Sequence, residues 1–162
     1  MRLNILRVIL IVLLAWTFII IFNFSNENAE KSSKTSQKVT EAITLNIKSI
    51  QELEVKEKIK VIDKVESVVR KIAHFSIYTL VGFLLMQLLN TYKIKEKNKC
   101  IISLMLGAIY ATSDELHQRF IPGRSGEITD VVIDTGGVIC GILIAILTIR
   151  IIYTIKVNIY KN

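Results

Sequence analysis

Residues 100–118 read CIISLMLGAIYATSDELHQ, and this stretch decides what kind of molecule the chain makes. Its apolar part, residues 100–111, covers about 18 Å at 1.5 Å per helical residue, short of a hydrocarbon layer about 30 Å thick. A helix that crosses must therefore draw residues 112–118 into the membrane, and Asp114, Glu115 and His117 with them. An ionised group costs roughly 2.5–3.5 kcal/mol at the bilayer centre and less near the interface. A polar site accounts for that cost better than a solvated tail does.

Working outward, three longer apolar runs flank this one. Residues 3–22 carry Arg7 as their one charge, and twenty residues at helical rise span about 30 Å. A signal peptide is the rival reading, but Glu27 and Ala29 do not form a small-x-small cleavage pattern, so an uncleaved anchor is expected. Residues 72–90 and 128–152 supply two further runs. The expectation is an all-α, polytopic membrane protein, a single domain over residues 1–162. Its four transmembrane helices are placed at 3–22, 72–90, 100–120 and 128–152. One proline and seven glycines leave little for a turn-rich β architecture. The alternating ten-residue segments of a membrane β-barrel are not seen either.

Between the first two runs, residues 25–69 are polar, with lysines and acids interspersed. Two apolar stripes run through them, Val39, Ala42, Ile43, Ile47, Ile50 and Leu53, then Ile59, Ile62, Val65, Val68 and Val69. An amphipathic helical segment on the extracytoplasmic bilayer surface is expected, with a helical hairpin outside the membrane as the alternative.

The 162 residues are 51% hydrophobic and carry a net charge of +7, with a mean hydropathy of +0.47. The positive charge fits membrane topology and anionic head groups. With no zinc-finger spacing, ribonucleoprotein motif or glycine-rich phosphate loop, nucleic acid is set aside as a partner. Cys100 and Cys140 fall at different depths of their runs and read as small apolar residues, since a disulfide needs Cα atoms within about 7 Å. Lys93, Lys95, Lys97 and Lys99 crowd the linker after the second run, and Lys156 and Lys161 follow the fourth. The positive-inside rule then puts both termini in the cytoplasm, although the lysines of the long loop oppose this.

Projected at 100° per residue, each later helix has one polar or small face. The second carries Arg70, His74, Tyr78, Val81 and Leu85. The third carries Ser103, Gly107, Tyr110, Asp114, His117 and Gln118, and the fourth Asp130, Asp134, Gly137, Gly141 and Thr148. Up-down topology sets their polar ends on one membrane side, the outer one under the orientation above. A plain packing seam is the competing explanation. Between the third and fourth runs, Ile121-Pro122-Gly123-Arg124 predicts a type II turn. Arg119 and Arg124 both read as phosphate or carboxylate binders, with a pairing to Glu115 at i, i+4 as the equal alternative for Arg119.

The runs Arg70-Lys71-x-x-His74-Phe75-x-x-Tyr78, Asp114-Glu115-x-His117-Gln118, Pro122-Gly123-Arg124 and Asp130-x-x-x-Asp134-x-x-Gly137 occur in this order. Together they resemble the VanZ-like membrane proteins over about residues 3–150. The resemblance implies a helical protein of bacterial envelopes, in a family named after a protein linked to resistance against the glycopeptide teicoplanin.

Two functions compete, with a third behind them. In the first, an enzyme acts on a lipid-linked envelope precursor. His74, Asp114, His117, Asp130 and Asp134 are its candidate catalytic residues, and Arg70, Lys71, Tyr78, Glu115, Gln118 and Arg124 bind substrate. In the second, the same pocket is a non-catalytic module that holds a membrane lipid, the antibiotic or a partner. The third is a small transporter or proton relay, disfavoured because its site would lie near the midplane. The acids and a histidine could hold a divalent metal, although their spacing matches no ligand motif, and no cofactor is assigned.

Overall fold

The computed structural model describes residues 2–26, 40, 42, 44, 54–124 and 126–159. Four long helices make up most of them: α1 (Arg2–Ser25), α2 (Val55–Asn90), α3 (Glu96–Gln118) and α4 (Ile128–Ile159). Helices α1, α2 and α4 are long and apolar enough to cross a membrane. The charges at both ends of α3 keep it outside that group.

Helix α2 is longer than its apolar run and begins at Val55, ahead of the span expected from residue 72. No glycine or proline falls between Val55 and Arg70, so nothing stops helix propagation once nucleated. The stripe from Ile59 to Val69 is therefore the first part of the same helix rather than a separate surface helix. At 36 residues α2 is about 54 Å long, well beyond one hydrocarbon thickness. Of the earlier stripe only Ala42 lies among the described residues. Helix α1 ends three residues later than the apolar run suggests, and α4 continues to Ile159, taking in Lys156.

Both ends of the bundle are tied. Thr91 closes α2, its backbone N–H and hydroxyl both donating to the Leu88 carbonyl. Arg7 reaches across from α1, donating to Thr91 Oγ1 at 3.1 Å and to the Thr91 carbonyl at 2.7 Å, with its guanidinium 4.2 Å over the Tyr92 ring. Glu96 and Arg150 pair at 3.5 Å on the same end. At the opposite end the Gln118 amide donates to Ser25 Oγ at 3.3 Å. Thus α1 and α3 run parallel to each other, and α2 and α4 run against them. Charged hydrogen bonds contribute about 1.5–3 kcal/mol and a cation–π contact somewhat less. Arg7→Ala is expected to cost about 2 kcal/mol, read as a lower unfolding midpoint of the detergent-solubilised protein.

Unlike a soluble bundle, this one is apolar on its outer surface as well as in its core. Val12, Trp16 and Ile19 of α1 and Val132, Leu143 and Leu147 of α4 are exposed, as suits helices facing lipid tails. Inside, Tyr78, Val81, Leu85, Ala111, Val138 and Ile142 form the apolar core. Leu10, Thr17, Ile21 and Ser25, at helical spacing, bury one face of α1. Helices α2 and α4 approach so closely that a Cβ at Gly141 would sit 2.0 Å from the Thr79 carbonyl oxygen, and one at Gly137 2.5 Å from that of Phe75. The glycines of the small face of α4 thus make a backbone-to-backbone contact. Both cysteines are free, Cys100 on α3 and Cys140 on α4.

Candidate functional site

At the end of the bundle where α1 and α3 finish and α4 begins, a polar cavity of about 170 Å³ opens. Helix α2 lends it Arg70, Lys71 and His74. From α3 come Glu115 and Gln118, from the turn Arg124, and from α4 Asp130 and Asp134. Eight of the eleven residues named from the sequence therefore line one space. The turn that carries Arg124 has the expected geometry. The Arg124 N–H donates to the Ile121 carbonyl at 3.1 Å, and Gly123 takes φ 78°, a left-handed value that a side chain disfavours.

At the cavity wall and just behind it sits an acidic pair. Asp134 is fully buried, and neither carboxylate oxygen has a hydrogen-bond partner among the described residues. Its Oδ2 lies 3.7 Å from His74 Nδ1, beyond hydrogen-bond length. Asp114, also buried, is outside the cavity lining but close behind it. One donor atom from each of His74, Asp114 and Asp134 falls within 4.8 Å of the other two. The Gln118 amide fixes Asp114, donating to its Oδ2 at 3.2 Å. Tyr78, one turn below His74, is fully buried in the core with its hydroxyl unpartnered among the described residues.

The rim is a web of charges. Lys71 Nζ donates to Asp130 Oδ1 and lies 3.8 Å from Glu127 Oε2. Glu115 is buried and accepts the Glu127 backbone N–H at 3.1 Å, which ties α3 to the start of α4. Arg124 Nη2 donates to the Phe24 carbonyl of α1 at 2.9 Å. Arg70 is half-buried, and among the described residues it has neither hydrogen bond nor ion pair.

Three side chains depart from expectation. His117 turns away from the cavity and stacks on Phe22 of α1, ring centroids 5.1 Å apart. At 100° per residue it stands 60° from Asp114, enough to bring it to the α1 side. Arg119 does not pair with Glu115 but donates to the Gly126 carbonyl at 3.3 Å, because Glu115 is drawn inward to Glu127. Tyr110 likewise serves α1, its hydroxyl donating to the Phe18 carbonyl at 3.0 Å.

Sequence reasoning passed over Ser67 and Glu127, which also line the cavity. Ser67 lies three residues before Arg70 on α2 and so shares its face, and Glu127 immediately precedes α4, three residues before Asp130. That spacing could have found them. Nothing local marked Ser25 as the partner of Gln118, 93 residues away.

The order of the polar runs now has a structural meaning, since each ends at the same cavity. The VanZ/LLP1 family model matches residues 8–151. The chain belongs to the VanZ/LLP1 family. The match takes in α2 and α3 whole and the greater part of α1 and α4, and every cavity residue named above falls within it. No curated protein and no solved structure matches the chain.

Proposed function

We propose that this VanZ/LLP1 protein crosses the bacterial cell membrane four times and binds the phosphate of a lipid-linked envelope precursor in its polar cavity, at the outer face. In this role it contributes to tolerance of glycopeptides of the teicoplanin type. Support for α3 as the fourth crossing comes from its length and its ties. Its 23 residues reach about 34 Å, and it is held to Arg150 near one end of the bundle and to Ser25 at the other. The lysines from Lys93 to Lys99, with Arg7, lie at the end opposite the cavity. By the positive-inside rule that end is cytoplasmic, both termini with it.

The observation that carries the reading is Arg70. It lines the cavity with no anionic partner among the described residues, whereas Lys71 beside it is engaged by Asp130 and Glu127. A guanidinium fork matches phosphate geometry, and a cation at head-group depth costs less once an anion reaches it. Arg70→Gln is expected to weaken retention of a polyprenyl phosphate about 10- to 100-fold, the worth of a charged hydrogen bond. Mass spectrometry of lipid held by the detergent-purified protein measures it. Equal retention by both proteins, or equal binding of the uncharged polyprenol, contradicts the reading.

A further inference from the structure

From the buried centre behind the cavity we infer that His74, Asp114 and Asp134 bind one divalent transition-metal ion of the zinc class. Two independent observations lead there. The first is geometric: an imidazole nitrogen and two carboxylate oxygens, from three different helices, lie within 4.8 Å of one another. Zinc holds such donors at about 2.0–2.2 Å, so neighbouring ligands on a tetrahedral ion stand roughly 3.4 Å apart. The observed 3.7 Å between His74 Nδ1 and Asp134 Oδ2 is close to that spacing and too long for a hydrogen bond. Side-chain shifts of about 1 Å bring all three onto one ion.

The second observation is the state of Asp134 itself. A fully buried carboxylate with neither oxygen hydrogen-bonded among the described residues is costly, and its ion-pair neighbour His74 stands 3.7 Å away. A metal ion between the two would satisfy the carboxylate at closer range. The surroundings fit as well: the Gln118 amide holds Asp114 from behind, as outer partners orient metal-ligating carboxylates. One imidazole and two carboxylates suit zinc or manganese better than magnesium, which prefers oxygen donors and several waters. Because His74 and Asp134 also line the cavity, the ion has its remaining positions on the open side. A ligand there meets both the metal and Arg70.

The test uses metal alone, so it stands whether or not a lipid phosphate binds. Full-length protein in detergent, stripped with a chelator, is titrated with Zn²⁺ or Mn²⁺ and dialysed, and bound metal is measured by elemental analysis. One ion per chain is expected for the wild type and for His117→Ala, which removes the other histidine. His74→Gln, Asp114→Asn and Asp134→Asn are expected to lose it, and Gln118→Ala to bind about 10- to 100-fold more weakly. Co²⁺ added to the wild type gives a check independent of any variant, since its visible bands report nitrogen and oxygen ligation. No stoichiometric metal, retention by the His74→Gln and Asp134→Asn proteins, or a Co²⁺ spectrum identical to that of the aqueous ion would each overturn the assignment.

Discussion

Alanine at position 141 is expected to force α2 and α4 apart and to lower stability by about 3 kcal/mol or more. The added Cβ would lie 2.0 Å from the Thr79 carbonyl oxygen and 2.6 Å from the Phe83 nitrogen. Both are backbone atoms inside a helix, so no rotamer change relieves the contact. Overpacking a core typically costs about 1–3 kcal/mol through flexible side chains, and a collision between two helix backbones lies at the upper end or beyond. Gly137→Ala, 2.5 Å from the Phe75 carbonyl oxygen, is expected to behave in the same way. The consequence reaches the site, because Asp134 lies one turn above Gly137 and His74 adjoins Phe75. Separating the two backbones also separates that pair. Gly136→Ala is the control: its nearest neighbour is the edge of the Phe75 ring at 3.8 Å, an ordinary contact. There the better helix propensity of alanine, worth about 1 kcal/mol, is expected to leave stability unchanged or slightly raised. Unfolding midpoints in detergent and yield of monodisperse protein compare the three. A Gly141→Ala protein as stable as the Gly136→Ala protein would mean that α2 and α4 do not meet as described.

Asp134→Asn is expected to reverse sign with the metal content of the solution. In chelator, asparagine replaces at nearly constant shape a buried charge that has no hydrogen-bond partner among the described residues and faces His74 only at 3.7 Å. The variant then unfolds at a higher temperature, by a margin equivalent to about 1–3 kcal/mol. With excess Zn²⁺ the order inverts. The wild type gains RT ln(1 + [L]/Kd), about 2.7 kcal/mol at a hundredfold excess over Kd, and the variant gains none. The crossing of the two stabilities is the diagnostic feature, since a merely structural carboxylate would make the variant weaker in both solutions. It would also identify Asp134 as a group whose cost to the fold is recovered when a metal ion binds.

Much of the architecture was legible in residues 100–118 and their neighbours, for a definite reason. Hydrocarbon offers no hydrogen bonds to backbone or side chain, so long apolar runs can only be helices. Any charge among them must then face inward or lie at an end. That constraint, with helical periodicity, brought His74, Asp114 and Asp134 together before any coordinates did, and the pairing of proline and glycine fixed the turn that presents Arg124. The glycines of α4 were likewise recognisable as a close-packing seam.

What the sequence could not decide was rotation and length at the level of single residues. A projection at 100° per residue leaves a margin of some tens of degrees, which is why His117 was grouped with Asp114 yet faces Phe22 on α1. Hydropathy marks where a helix leaves the membrane but not where it stops, so α2 runs on to Val55 without a change in its backbone. Which carboxylate meets which donor follows from distances across helices: Glu115 takes the Glu127 N–H, Gln118 bridges Asp114 and Ser25, and Asp134 has no hydrogen bond among the described residues. Local rules carry no information about contacts between residues 59 or 93 positions apart. Only the packed bundle, drawn close by glycine against backbone, sets them.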